Sequence, residues 1–164
     1  MQPELKQWVS SVSMTTSGLN TCFMSIPQFM AQGDDGDDFL GSKYRIMRVR
    51  VYFDYSDVTL AGGLRLALGI PKDPSNTTFL DTGTSGSLIP ANMREVTMLK
   101  EMFLKTDGSN LNGYMEWNGP LNVEMNVTGS TPLKNNLILQ INSEAAAASI
   151  SSNTRTRVEV MFTG

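Results

Sequence analysis

The sequence predicts an all-β protein, a sandwich of two sheets, and two observations lead to this prediction. Apolar residues recur with a period of two along most of the chain and almost never with the helical period of 3.6. The stretches between these segments are dense in Gly, Ser, Asn, Asp and Pro, which form turns. The 164 residues are enough for one domain. We expect that domain to span residues 1–164, with residues 1–17 as an N-terminal segment or arm.

The first half of the chain contains one irregular and one very regular candidate strand. Residues 19–26 are mostly apolar but do not alternate strictly. Residues 43–55 alternate clearly. Val49, Val51 and Phe53 are apolar, and the side chains directly before, between and after them are polar or charged. This strand therefore has one face in the core and one face in water or at an interface.

The second half supplies the remaining strands. Residues 64–70 alternate Leu or Ile with other residues, and Pro71 ends this strand because proline cannot donate to a ladder. The other candidate strands are residues 96–105, 114–117, 121–127, 137–141 and 156–162. An alanine tract, residues 145–148, is too short for an isolated helix and is expected within a turn. Several connections exceed hairpin length, which favours a Greek key or jelly roll over an up-and-down barrel.

Composition excludes several classes of function. The chain has no histidine, so it has no Ser-His-Asp or Cys-His pair and no histidine-containing zinc site. We expect no catalytic residues and no enzymatic activity. The single cysteine, Cys22, cannot form an internal disulfide. No apolar run approaches the roughly 20 residues of a membrane span, so no membrane partner is expected.

Several segments, in order along the chain, resemble the single-jelly-roll coat proteins of small icosahedral viruses. They are a Gln-Gly-Asp-Asp turn (32–35), a Gly-Ser-Lys turn (41–43) leading into the basic strand 44–55, a strand ending in an aspartate-containing turn (94–107), an Asn-Asn pair (135–136) that opens the apolar strand 137–141, and a closing strand (155–162). The resemblance is to the coat proteins of tobacco necrosis satellite virus and of circular Rep-encoding single-stranded DNA viruses.

The resemblance implies an eight-stranded jelly-roll sandwich with a structural role. Such a subunit self-assembles, in roughly sixty copies, into a closed icosahedral shell, which requires several complementary surfaces on each copy. The chain is then a virion component whose partners are its own copies and a single-stranded DNA or RNA genome.

One feature departs from that family. Its members usually begin with an Arg-rich and Lys-rich arm that neutralises nucleic acid, whereas Lys6 is the only basic residue before Lys43. At a net charge of −3 per chain, roughly sixty copies would carry about −180, which opposes phosphate binding. Either the arm is missing from this chain, or packaging uses a local basic patch, or the shell assembles without much contact with the genome.

A candidate nucleic-acid site lies at the start of the basic strand. Four of the 13 basic residues fall within eight positions: Lys43, Arg45, Arg48 and Arg50. Alternation places Tyr52 on the same face as Arg48 and Arg50, so a base could stack on this tyrosine while the arginines hold phosphates. The alternative is a solvated or subunit-facing strand whose arginines pair with carboxylates such as Asp54, and the net charge favours it.

A candidate metal site precedes that strand. Four carboxylates surround Gly36 within five residues: Asp34, Asp35, Asp37 and Asp38. Oxygen ligands on a turn suit a calcium ion, particularly where symmetry brings copies together. The spacing is not that of an EF-hand, since Arg45 occupies the position of its final glutamate. A solvated acidic turn is the alternative, and no other cofactor is expected.

Two further classes of function share this fold. A carbohydrate-binding sandwich would stack sugars on exposed aromatic rings, for which the candidates are Trp8, Trp117, Tyr114 and Tyr52. A jelly-roll receptor ligand would form a stable trimer. The size of the assembled protein discriminates among the three.

Overall fold

The computed structural model describes residues 5–12, 21–30, 42–55, 63–76, 93–105, 111–126, 131–143 and 155–164. Within these ranges the chain forms nine strands and one short helix. The strands are β1 (Leu5–Val12), β2 (Thr21–Ser25), β3 (Lys43–Tyr55), β4 (Gly63–Pro71), β5 (Val96–Lys105), β6 (Leu111–Met125), β7 (Pro132–Lys134), β8 (Ile138–Ser143) and β9 (Arg155–Thr163). The helix α1 (Ile26–Met30) directly follows β2.

The strands form two antiparallel sheets with a nested order of pairing. One sheet has the order β1-β9-β3-β6-β7 and the other β2-β8-β4-β5. The first strand pairs with the last, β2 with β8, β3 with β6 and β4 with β5. This is one long antiparallel ribbon, rolled up so that β3 also meets β9 and β4 also meets β8. The predicted jelly-roll sandwich is therefore confirmed, with β7 added beside β6.

The core lies between the two sheets, because alternate side chains of each strand point to the other sheet. Val49, Val51 and Phe53 of β3 are buried there, as are Leu139 of β8 and Val160 of β9. Full burial of one such apolar side chain stabilises the fold by about 1.5–3 kcal/mol. The inward face that alternation predicted for β3 is thus the face that packs.

A β-bulge at Met47 changes which residues of β3 face outward. Between Ile46 and Arg48, β3 has one residue more than its partner β9. Tyr44 and Ile46 face the core before the bulge, and Val49 faces it afterwards. With strict alternation, Lys43 and Arg45 would lie on one face of β3, and Arg48 and Arg50 would lie on the other. One inserted residue reverses the faces of all the residues that follow it. The bulge instead puts all four on the outer side: Lys43, Arg45, Arg48 and Arg50.

The prediction of two strands at residues 114–117 and 121–127 is corrected, because β6 is one continuous strand from Leu111 to Met125. The irregular part lies opposite the bulge of β3, where the Gly119–Pro120 peptide is cis. A Cβ on Gly119 would lie 2.6 Å from the main-chain oxygen of Ile46, so only glycine fits there. Proline is compatible with a strand at such an irregularity.

Three elements were not expected from the sequence. Residues 5–12, within the expected N-terminal segment or arm, form β1 and pair with β9 along its whole length. The short strand β7 extends the edge beside β6. In α1, Pro27 occupies the first turn, where a missing N–H costs no helical hydrogen bond. In the part of the chain that the structure describes, no helix is long and apolar enough to cross a membrane.

Candidate interaction face

The side of the five-stranded sheet that points away from the core is called the outer face below. Its three central strands contribute polar and charged side chains in register. They are Lys43, Arg45, Arg48, Arg50, Tyr52 and Asp54 on β3, Asn112, Tyr114, Glu116, Asn118, Asn122 and Glu124 on β6, and Arg157, Glu159, Met161 and Thr163 on β9.

The four-stranded sheet differs, because the outward side chains of its central strands are buried. Arg65 of β4 and Gln140 and Asn142 of β8 are all nearly inaccessible to solvent. Arg65 forms an ion pair with Glu101 and lies over the ring of Phe103, with its Cζ 5.3 Å from the ring centroid. The Gln140 amide donates to Asn142 Oδ1 at 3.1 Å. These polar side chains are buried and have partners within the sheet, so the outer face of the other sheet is the better candidate for interactions.

The centre of the outer face is a hydrogen-bonded cluster around the carboxylate of Glu116. Arg50 Nε donates to Glu116 Oε2 at 2.7 Å, and the hydroxyl of Tyr114 donates to the same oxygen. Asn118 Nδ2 donates to Glu116 Oε1 at 3.2 Å. Arg50 and Glu116 are opposite each other in the β3–β6 register, which explains why they meet.

These hydrogen bonds keep Glu116 ionised. The bonds from Tyr114, Arg50 and Asn118 lower the pKa of Glu116 from 4.5 to about 2, because all three favour the charged carboxylate. The bond that Tyr114 donates to Glu116 raises the pKa of the Tyr114 hydroxyl, and the bond that Arg50 donates to Glu116 raises the pKa of the Arg50 guanidinium. Around neutral pH Glu116 is therefore negative, Arg50 is positive and Tyr114 is neutral, so this cluster suits binding rather than proton transfer.

Two exposed tyrosines lie beside this cluster. Tyr52 and Tyr114 are directly opposite each other, 37% and 44% exposed, with ring centroids 5.1 Å apart and planes at 45°. On the other side of Tyr52, Arg157 places its Cζ 5.9 Å from the ring centroid and pairs with Glu159 at 2.7 Å. Rings held in this way present accessible faces on which planar groups can stack.

The remaining basic residues of β3 differ in their partners. Lys43 Nζ lies 3.7 Å from Glu124 Oε1. Arg45 Nε donates to the Asn122 side-chain oxygen at 2.9 Å. Arg48 donates through Nη2 to the sulfur of Met161, and its Nε is buried without a partner in the structure. Lys43 therefore has a carboxylate partner, as Arg50 does, whereas Arg45 and Arg48 donate to neutral groups, an amide oxygen and a thioether sulfur.

The structure thus brings the four predicted basic residues together on one face, with Tyr52 beside Arg50. It also shows that the carboxylate partner of Arg50 is Glu116 on the neighbouring strand. From the sequence, Asp54 is an example of a possible carboxylate partner, because the spacing of residues within one strand shows which of them share a face. The contributions of Glu116, Glu124 and Arg157 depend on strand register, for which the sequence carries no local signal.

The other predicted site residues are placed as follows. Asp34, Asp35, Asp37 and Asp38, the candidate calcium ligands, lie outside the described residues, as does the alanine tract at 145–148. Among the residues that are described, no group of three or more Cys, Asp or Glu side chains could hold a metal ion. The two tryptophans proposed to stack on sugars, Trp8 and Trp117, are partly buried against the core.

Comparison with known proteins supports the fold. No protein-family model matches the chain, and no curated protein matches its sequence. The structure of tomato aspermy virus is similar to this chain with a TM-score of 0.57 at 10% identity, over 98% of this chain and 78% of the viral chain. A structure of the tobacco streak virus coat protein dimer has a TM-score of 0.52 at 7% identity, over 97% and 85% of the two chains. The chain therefore shares the jelly-roll architecture of viral coat proteins.

Proposed function

We propose that this chain is a structural coat subunit, which assembles with its own copies into a small icosahedral virus shell around a nucleic-acid genome. The observation that carries this proposal is the nested jelly-roll pairing, from β1 with β9 inward to β4 with β5. The similarity to a viral coat protein over 97% of the chain supports it. The resemblance stated above favours the single-jelly-roll type of tobacco necrosis satellite virus and the circular single-stranded DNA viruses. No catalytic role is part of the proposal.

A closed shell needs several different contact surfaces on one subunit, and the sheet edges offer them. Exposed apolar side chains occur on the edge strands: Leu5 and Val9 on β1, Phe23 on β2, Phe103 on β5 and Leu133 on β7. Permanent subunit interfaces are richer in apolar area than the remaining surface. These edges therefore have the composition expected of contacts between copies.

We further propose that the outer face is turned towards the genome. Arg45 and Arg48 have neutral partners, so their charge is available to phosphate groups, and Tyr52 can stack on a base. Arg50 contributes less charge, because Glu116 of β6 pairs closely with it at 2.7 Å, whereas the exposed Lys43 lies 3.7 Å from Glu124. Binding of single-stranded DNA and RNA at low and moderate salt tests this proposal. Binding that weakens steeply with salt supports it, and binding without salt dependence contradicts it.

The acidic run Asp34, Asp35, Asp37 and Asp38 is proposed to bind calcium at a contact between copies. Carboxylates from two or more copies would supply the six to eight oxygen ligands that calcium takes. A chelator should then lower the melting temperature of the particle and loosen its assembly. An unchanged melting temperature and particle size after chelation would refute the calcium site alone.

Light scattering of the purified chain, combined with its absorbance ratio at 260 and 280 nm, tests the main proposal. Roughly sixty copies of an 18.0 kDa chain form a particle of about 1.1 MDa. Nucleic acid inside it raises the ratio. A monomer that binds glycans would instead establish a carbohydrate-binding module, and a stable trimer would favour a receptor ligand.

A further inference from the structure

One end of the outer face contains a cavity, whose lining includes two of the basic residues of β3, Lys43 and Arg45. It lies where β3, β6 and β7 meet the end of β9, and its volume is about 480 Å³. Its lining residues are Lys43, Tyr44, Arg45, Asn122, Val123, Glu124, Lys134 and Thr163. A volume of this size is within the range of small-ligand sites in proteins, about 300–1,000 Å³.

The lining of this cavity is positively charged although the whole chain is acidic. Three of its side chains are cations, Lys43, Arg45 and Lys134, and one is an anion, Glu124. Glu124 is opposite Lys43 on one side and Lys134 on the other, so a single carboxylate stands between two ammonium groups. The cavity therefore has a net charge of +2, whereas the chain has a net charge of −3.

The cationic groups are available to a ligand. The Lys43–Glu124 pair is long, at 3.7 Å, and its side chains are 74% and 40% exposed, so water screens it strongly. Arg45 uses its Nε to bind Asn122, and the structure gives no other partner for this guanidinium among the described residues. Its two terminal nitrogens can therefore donate together to one anion, which is the geometry that guanidinium groups prefer.

The frame of the cavity is held by hydrogen bonds. Arg45 is oriented by Asn122, whose main-chain oxygen accepts a bond of 2.6 Å from Asn135 Nδ2. Asn135 has a positive φ of 56° and directly follows Lys134, so this bond ties the end of β7 to β6. Cations from two strands and the hydroxyl of Thr163 on a third thus surround one position.

We propose that this cavity binds a phosphate group. Phosphate carries its charge on several oxygens and suits a ring of separate cationic and hydroxyl donors, with Arg45 as the bidentate contact. The source is a phosphodiester of single-stranded nucleic acid or a free phosphate compound. Only the choice of a genome as the source of this phosphate rests on the proposed function. The charge and geometry of the cavity do not depend on shell assembly.

Binding measurements on Arg45→Gln and a matched control test the inference. Arg94→Gln removes the same charge at an exposed turn before β5, outside both the outer face and the cavity. The probes are inorganic phosphate, a nucleoside monophosphate and a fluorescent ten-nucleotide oligothymidylate, followed by anisotropy and by amide NMR shifts. Because Arg45→Gln loses a charged hydrogen bond, its affinity should fall by about tenfold or more. Arg94→Gln should change the affinity by less than about threefold, and the largest shifts should fall at residues 43–45, 122–124, 134 and 163.

The outcomes separate the possibilities. Binding of all three probes at these amides supports a site for phosphate from either source, and binding of the oligonucleotide alone supports a phosphodiester site. Equal losses in the two variants would indicate diffuse attraction by the charge of the whole chain and would overturn the inference, as would absence of binding. Particle mass, measured on the same samples, distinguishes this failure from that of the proposed function, because shells that form without phosphate binding overturn only the cavity assignment.

Discussion

The contact between Gly113 and Phe53 yields a quantitative test of the sandwich. Gly113 of β6 is opposite Phe53 of β3, and a Cβ at position 113 would lie 1.9 Å from the ring Cζ and 2.6 and 2.7 Å from the two Cε atoms. Phe53 is only 3% exposed and belongs to the core, so its ring cannot move into solvent. Gly113→Ala forces the ring or the strand to shift, which costs about 1–3 kcal/mol of folding free energy.

Urea denaturation of the unassembled chain, followed by tryptophan fluorescence, measures this cost. In thermal unfolding of the same variant, the melting temperature should fall by about 2–4 °C for each kcal/mol of lost stability in a domain of this size. A double-mutant cycle with Phe53→Leu isolates the contact, because the shorter side chain vacates the space of the new methyl group. The double variant should be more stable than the sum of the single effects by at least about 0.5 kcal/mol. Additive effects, or an unchanged stability of Gly113→Ala, would refute the packing described for β3 and β6.

Three further predictions concern single side chains. Leu139→Ala, in the core, should cost about 2–5 kcal/mol in urea denaturation, whereas Leu133→Ala, exposed on β7, should cost less than about 0.5 kcal/mol; similar losses would contradict the assigned faces. Tyr44→Phe should raise stability by about 1 kcal/mol, because it removes a buried hydroxyl that has no hydrogen-bond partner among the described residues. A loss of stability would reveal a partner. NMR titration should show a pKa of about 2 for Glu116 instead of 4.5. The ionised Glu116 stabilises the folded chain, and this contribution is complete above about pH 4.5 and is lost as the pH falls towards 2. The stability of Glu116→Gln should lack this dependence on pH.

Much of the fold follows from the period-two pattern alone. The bounds of β3 and β5 match the predicted residues 43–55 and 96–105, because one face of each strand carries side chains that pack on the core. β4 ends at Pro71 as predicted. β1 escaped prediction because it is an edge strand whose outward residues Leu5 and Val9 are apolar, which hides the alternation.

The candidate site was only partly predictable. Its basic residues could be identified from the sequence, because they are close together along one strand. Their common face could not, since it depends on the bulge at Met47. Their partners Glu116 and Glu124, and the Lys134 of the cavity, are brought in by the pairing of β6 with β3 and β7. Long-range register is set by the packing of the whole sandwich rather than by local residue type.

Electron cryomicroscopy of the purified, full-length chain tests the central claim most directly. We expect closed particles with icosahedral symmetry, in which each subunit is one jelly roll and contacts its neighbours through the sheet edges. The outer face, with Arg45 and Arg48, should line the interior beside density for nucleic acid. Uniform monomers or trimers under all assembly conditions would contradict the coat-protein function.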